Sequence, residues 1–302
     1  MQARPRQLHR LEKIVATVAL LAVLALTFGF AQAAGQRKKA AAEPLEAHLG
    51  DVALRSSVVL VQDASSGDTL IAKNAASVMP IASITKLMTA MVVLDAGLEL
   101  SQRVAISGDD LDYLKGTGSR LRPGSVLTRD ELLLLALMSS ENRAAAALAR
   151  TYPGGGEVFV AAMNAKARSL GMQDTRFADA TGLNAANVSS ARDLARLVKT
   201  AHDYYPLIRD YSTRSSATVQ SYGRVLAYRN TNGLVRSAKW EIGLSKTGFI
   251  SEAGRCLVMQ VRMAQKEMVV VLLDSWGKQS RIGDANRIRK WLESSVAGAR
   301  GR

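Results

Sequence analysis

β-Branched and apolar residues cluster from Ser57 to Gln62 and again from Asp68 to Lys73, and Asp63-Ala64-Ser65-Ser66-Gly67 between them is turn chemistry. That pattern predicts a β-hairpin. The period then changes. After Pro80, apolar residues at Leu87, Met88, Met91, Val92 and Leu94 follow helical spacing until Gly97, which predicts a helix over 83–94 with Ser83 at its N-terminus. Thr128-Arg129-Asp130-Glu131 is a capping-box sequence ahead of Leu132 to Met138, and the alanine-rich run Asn142 to Arg150 predicts the next helix, with Ser139-Ser140-Glu141 as the connection. Glu157 to Leu170, stopped by Gly171, and Ser190 to Ala201 add two more. Ile242 to Ile250, Arg255 to Met263 and Glu267 to Asp274 are β-rich and joined by short turns, and Ile282 to Leu292 reads as a last helix. The order of strand pair, helices, antiparallel strands and helix predicts an α+β architecture. An antiparallel sheet drawn from both ends of the chain is flanked by helices around a central helical block.

The N-terminus follows another logic. Arg4, Arg6, Arg10 and Lys13 precede an apolar run from Ile14 to Phe30 that ends at Ala31-Gln32-Ala33. This is the layout of a signal peptide over 1–33, cleaved after Ala33; the run is short for a bilayer span of roughly 20 residues, the competing reading as a retained anchor. Gln36-Arg37-Lys38-Lys39 and the alanines after it read as a flexible basic segment over 34–50. One catalytic-sized domain over 51–296 and a short tail over 297–302 complete the chain, since no repeat or proline- or glycine-rich linker interrupts it. Loss of residues 1–33 removes four basic residues and Glu12, taking the formal charge from +14 to about +11. For an exported protein, such charge points to anionic envelope components at the periphery rather than to nucleic acid. The lone Cys256, in the run Cys256-Leu257-Val258-Met259, excludes an intramolecular disulfide. With His48 and His202 the only histidines after cleavage, no zinc site and no cofactor is expected.

Three short motifs carry the chemistry. In Ser83-Ile84-Thr85-Lys86 the spacing puts a hydroxyl and an amine on one helix face. A lysine held neutral by burial or by a second cation can take the serine proton. The motif alone is weak, because an N-cap serine followed by a surface lysine looks the same, and Ser275-Trp276-Gly277-Lys278 repeats the spacing. Ser140-Glu141-Asn142 offers a hydroxyl and an amide on a tight connection between helices, or simply helix capping. Lys246-Thr247-Gly248 offers a cation and a hydroxyl for a carboxylate, with a glycine that permits close approach, or simply a bulged strand. A histidine triad has no Gly-x-Ser-x-Gly elbow at Ser83 or Ser140 to work from.

In this order, the three motifs resemble those of the penicillin-binding proteins and class A β-lactamases, with Glu141 where the usual pattern has Asp. From about Ser56 to Trp276 the chain resembles the serine DD-peptidases, within them the D-alanyl-D-alanine endopeptidases of the penicillin-binding protein 7 type. The runs that carry this are Pro80 to Leu94, Leu111 to Leu121, Ala136 to Ala144 and Lys246 to Cys256. The resemblance implies a β-lactamase-like fold and periplasmic placement. It also implies an acyl-enzyme on Ser83 with Lys86 as base, and Ser140 passing a proton to the leaving amine. Asn142 would bind the substrate backbone, Lys246, Thr247 and Gly248 would receive a carboxylate, and the N–H groups of Ser83 and Phe249 would form an oxyanion hole. Its implied partners are peptidoglycan stem peptides and covalent β-lactams. The alternatives are a D-alanyl-D-alanine carboxypeptidase, a serine β-lactamase and a non-catalytic peptidoglycan- or β-lactam-binding domain. The short stretch after Gly248 leaves no room for the further β-rich domain and membrane tail of many carboxypeptidases. Between Arg168 and Ala201 there is no glutamate of the kind class A β-lactamases use to activate water, which predicts slow turnover of penicillin.

Overall fold

The computed structural model describes residues 52–300. The expected signal peptide, its cleavage point, the basic segment and His48 lie outside the described residues, as do Gly301 and Arg302. Strand β1 (Ser56–Asp63) forms the predicted hairpin with β2 (Thr69–Lys73), and its other edge receives β11 (Lys266–Ser275). β10 (Gly254–Met263) and β9 (Glu241–Ile250) extend the sheet to the order β2-β1-β11-β10-β9, with every neighbouring pair antiparallel. Outside it, the short strands β3 (Met79–Pro80) and β6 (Val188–Ser189) pair with each other, as do β4 (Arg103–Ala105) and β5 (Val126–Thr128).

Alternation along these strands serves two cores. Leu60, Val258 and Val271 face the helical block, whereas Val59, Leu257 and Val270 face the C-terminal helix. Both faces are dry, which is why Met268 to Leu273 reads as an unbroken apolar run rather than as alternation. Each such side chain contributes roughly 1.5–3 kcal/mol of burial.

The helices in chain order are α1 (Lys86–Asp95), α2 (Arg129–Met138), α3 (Asn142–Arg150), α4 (Gly155–Ser169), α5 (Ala191–Tyr204), α6 (Pro206–Thr213) and α7 (Ser280–Arg300). Thr128 closes the predicted capping box on α2 with Glu131, and Ser190 caps α5. Helices α1 and α2 are apolar nearly all round because they fill the centre of the block. Helix α7 runs beyond the predicted Leu292 to Arg300. Two further elements had no clear pattern in the sequence: α6, which starts on Pro206, and the hairpin of β7 (Ser216–Ser221) and β8 (Arg224–Arg229). Tyr222 (φ 51°) and Gly223 (φ 67°) turn that hairpin, the left-handed pair that two-residue connections favour.

The helix α7 is pinned to the sheet by a buried carboxylate. Asp284 accepts the Arg55 N–H at 3.0 Å, the Ser56 N–H at 2.7 Å and the Ser56 hydroxyl at 2.5 Å, and it pairs with Arg287. Burial pushes its pKa up, but the Ser56 hydroxyl, the Arg55 N–H and Arg287 together hold it below the ordinary carboxylate value. Asp284→Ala leaves these donors unanswered and is expected to destabilise the fold by about 2–3 kcal/mol, read from urea unfolding. Because the folded pKa is depressed, this contribution is present at neutral pH and is lost as pH falls through it.

Candidate active site

Ser83 does not open the α-helix. It sits in a single 3-10 turn, Ala82–Thr85, and α1 starts at Lys86. The difference helps the pair, because a 3-10 turn has three residues per turn and eclipses side chains at i and i+3. Lys86 Nζ lies 3.0 Å from Ser83 Oγ. The turn is entered through Ala82 at φ 48°, and the α2–α3 junction turns through Ser140 at φ 59°. Both are left-handed positions that disfavour a side chain, so backbone strain is built in at Ser140 and immediately before Ser83.

Two glycines hold the nucleophile turn in place. A Cβ on Gly182 would stand 2.0 Å from the Ala82 carbonyl oxygen, and one on Gly248 would stand 3.0 Å from the Ser83 nitrogen. Strand β9 and the 179–184 loop therefore press on the turn from two sides. The contact at Gly248 is the close approach expected of the Lys-Thr-Gly motif, and it sets the Gly248–Phe249 peptide beside the Ser83 N–H.

Lys86 begins a helix whose residues are buried from Lys86 through Val93, so its amine has no water. Besides Ser83 it donates to Asn142 Oδ1 at 2.7 Å and to the Thr181 carbonyl at 2.6 Å. Burial lowers its pKa to about 8, against the pull of the Asp179 and Glu141 carboxylates. A neutral amine keeps two N–H groups and one lone pair. With Asn142 and Thr181 taking the N–H groups, the lone pair is left facing the Ser83 hydroxyl.

Lys246 donates to Ser140 Oγ at 2.8 Å, and Thr247 Oγ1 donates to Thr231 Oγ1 at 2.7 Å. Burial and then the charge on Lys86 hold the Lys246 pKa well below its ordinary value. The repulsion between the two ammonium groups is mutual, so it adds to burial in disfavouring charge on the pair. Phe249 is exposed, with the Arg255 guanidinium 4.5 Å from its ring centre.

All eight residues singled out in the sequence, Ser83, Lys86, Ser140, Asn142, Lys246, Thr247, Gly248 and Phe249, line this one region. Asn142 is fully engaged in it, since its Nδ2 donates to Thr117 Oγ1 at 2.9 Å while its Oδ1 receives Lys86. Asp112 in turn accepts the Thr117 hydroxyl at 2.7 Å and the Thr117 N–H at 2.8 Å. Sequence reasoning missed Thr117, Asp112, Thr181, Asp179 and Thr231. The Asp179 side chain accepts the N–H groups of Thr181, Gly182 and Asn184 at 3.0, 2.6 and 3.0 Å. Asp-Ala-Thr-Gly is the local signal for such a side-chain-braced turn.

The decoys go elsewhere. Ser275 Oγ shares a 2.6 Å hydrogen bond with Ser56 Oγ, and His202 pairs with Asp203. Cys256 is buried, and burial pushes its thiol up to about 11.

The chain matches the family model described as D-alanyl-D-alanine carboxypeptidase over residues 39–277. It is 49% identical to the D-alanyl-D-alanine endopeptidase of Pseudomonas aeruginosa and 46% identical to that of Escherichia coli K12, in each case over 80% of this chain and 78% of the relative. Its fold superposes on the crystal structure of the Streptomyces K15 DD-transpeptidase with a TM-score of 0.74 at 28% identity, covering 80% of this chain and 98% of that one. The α+β arrangement of antiparallel sheet and helices is that of a DD-transpeptidase. By the family match, by these identities and by the motifs the fold brings together, the chain belongs to the D-alanyl-D-alanine carboxypeptidase family of serine peptidases, family S11.

Proposed function

We propose that the protein is an exported, periplasmic D-alanyl-D-alanine endopeptidase that cuts D-alanine to diaminopimelate cross-links in peptidoglycan. The observation that carries the reading is the buried Lys86 amine, whose lone pair faces Ser83 Oγ at 3.0 Å. The relatives that are 46–49% identical over 80% of the chain are endopeptidases, and this favours cross-link cutting over removal of a terminal D-alanine.

Ser83 Oγ attacks the D-alanyl carbonyl while Lys86 takes its proton, and the N–H groups of Ser83 and Phe249 stabilise the oxyanion. Ser140, bonded to Lys246, relays a proton to the departing amine, and water then hydrolyses the ester on Ser83. Lys246 and Thr247 receive the carboxylate next to the scissile bond, and that negative charge favours the ammonium form of Lys246 against its burial. Asn142 orients Lys86 in the free enzyme and turns its amide to the substrate backbone on binding.

Incubating the protein with a cross-linked muropeptide dimer and a pentapeptide monomer, with products read by mass spectrometry, is expected to show dimer cleavage. Release of D-alanine from the monomer with the dimer left intact would make the protein a carboxypeptidase.

The pH dependence follows from Lys86. Its base form is the neutral amine, so the rate of acylation should climb about tenfold per pH unit below about 8 and level off above it. A stopped-flow profile with a chromogenic β-lactam reads this directly, and a flat profile from pH 6 to 9 would remove Lys86 as the base.

A further inference from the structure

Four arginines outside the catalytic groups share one surface. Arg120, Arg122, Arg224 and Arg229 are exposed on the 119–122 segment and the β7–β8 hairpin, and among the described residues none of them has a carboxylate partner. What sets them apart is that they lie together, on one segment and the hairpin packed against it. The four line two hollows of about 800 and 620 Å³ that share Arg120, and no acidic residue lines either.

The surface is rigidly built. The Arg120 guanidinium stacks 3.8 Å from the centre of the Tyr228 ring and donates to the Ala227 carbonyl. At the other end of the hairpin the Ser221 hydroxyl donates to Ser125 Oγ at 2.8 Å, and Tyr222 lies on Pro123 and Gly124, donating to the Pro123 carbonyl. Arginine held flat on an aromatic ring presents its remaining N–H groups as a fixed fork, a geometry suited to carboxylates. The Tyr228 hydroxyl beneath it is buried and has no hydrogen-bond partner among the described residues.

Position gives this surface its meaning. Strand β8 ends at Arg229, two residues before Thr231, and Thr231 holds the hydroxyl of Thr247, the residue proposed above to receive the carboxylate of the leaving half. A leaving D-alanine is too short to travel further. The leaving half of a cross-link is a whole peptide with free carboxylates, and the arginine surface begins two residues along the chain from Thr231.

We propose that this arginine-lined platform is the subsite for the second stem peptide of a cross-linked substrate, held through that peptide's carboxylates. The assignment rests on the endopeptidase reading above and supplies its physical basis, because only a cross-linked substrate extends far enough to be held there.

The test reverses two exposed charges, Arg224→Glu with Arg229→Glu, and compares two reactions of the same protein. One is cleavage of a cross-linked muropeptide dimer; the other is acylation by benzylpenicillin, which reaches only the catalytic groups. The ratio of dimer kcat/KM to the penicillin acylation constant is expected to fall about tenfold or more, mainly through KM. A dimer whose second stem is amidated at every carboxylate except the one next to the scissile bond should lose the same factor with the unmutated protein and be indifferent to the reversal. An unchanged ratio overturns the subsite.

Calorimetric binding of the dimer to Ser83→Ala protein, with and without the reversal, separates the two proposals. Arginine-dependent binding without cleavage by the intact enzyme keeps the subsite and removes the endopeptidase reading. Equal cleavage by both proteins does the opposite. Arginine-dependent binding to phosphatidylglycerol vesicles with unchanged dimer cleavage assigns the surface to the membrane and overturns the subsite.

Discussion

Ser83→Ala is expected to abolish covalent labelling by a fluorescent penicillin, and Lys86→Met to slow it by about 10⁴-fold. The two losses have different signatures. Ser83→Ala removes the atom that forms the ester, so no exposure time restores the label. Lys86→Met keeps that atom and removes the base, so label accumulates slowly and the rise of rate with pH disappears. Lys86→Met should also leave the fold as stable as before or more so, since it exchanges a buried amine for an apolar side chain of similar length. A variant that is at least as stable yet nearly inactive separates catalysis from folding, and a fall in Tm with proportional loss of labelling would point to a structural role instead. In the unmutated protein the label should persist. Of the acids near Ser83, Asp179 spends its oxygens on the Thr181, Gly182 and Asn184 N–H groups, and is not placed to activate a hydrolytic water against a penicilloyl ester. Mixing with excess benzylpenicillin should therefore consume one equivalent in a burst and then nearly stop, whereas steady hydrolysis would make the protein a β-lactamase.

Gly182→Ala should also be damaging, although Gly182 has no side chain to take part in the reaction. The residue has φ +80°, and its added methyl would have to occupy space 2.0 Å from the Ala82 carbonyl oxygen and 2.9 Å from the Ser83 nitrogen. Neither neighbour is a flexible side-chain end, so one of the two backbones must move. Overpacking of this kind costs about 1–3 kcal/mol, and the left-handed backbone adds about 1 more. The displacement falls on the turn that aims Ser83 and on the Thr181 carbonyl that holds Lys86, and misplacement by about 1 Å is enough to slow such a reaction about 100-fold. Thermal unfolding and the penicillin acylation rate measured together check both. An unperturbed acylation rate would mean that the 179–184 loop is not part of the machinery.

The fold was readable wherever one periodicity ruled a segment: the β1–β2 hairpin, the capped helix α2 and the three C-terminal strands all lie where the apolar pattern places them. It was not readable between Tyr205 and Trp240, where β7 and β8 bury only alternate small or single side chains such as Val219 and Tyr228 and leave the rest in water. The site was readable in its motifs because Ser83, Ser140 and Lys246 are chemistry-bearing residues at short fixed spacings. Its supports were not, because Thr117, Thr181 and Thr231 act through a backbone carbonyl and single hydroxyls that any loop could offer. The exchange of α-helix for a 3-10 turn at Ser83 was equally hidden, since both accept the same residues and only the packing of Gly182 and Gly248 decides between them.

The Ser56 and Ser275 hydroxyls that meet 2.6 Å apart are 219 residues apart in the chain. Strand β1 has β2 as a local partner, but its other edge stays open until the whole helical block and both later hairpin strands exist. The entropy of closing so large a loop must be met before the pairing gives anything back. The folding reaction is therefore expected to be slow and late, with the central helices collapsing first and the sheet zipping around β1 last. A chain built this way gains its nucleophile only when β9, through Gly248, comes down on the Ser83 turn, so activity can appear no earlier than the last pairing of the sheet.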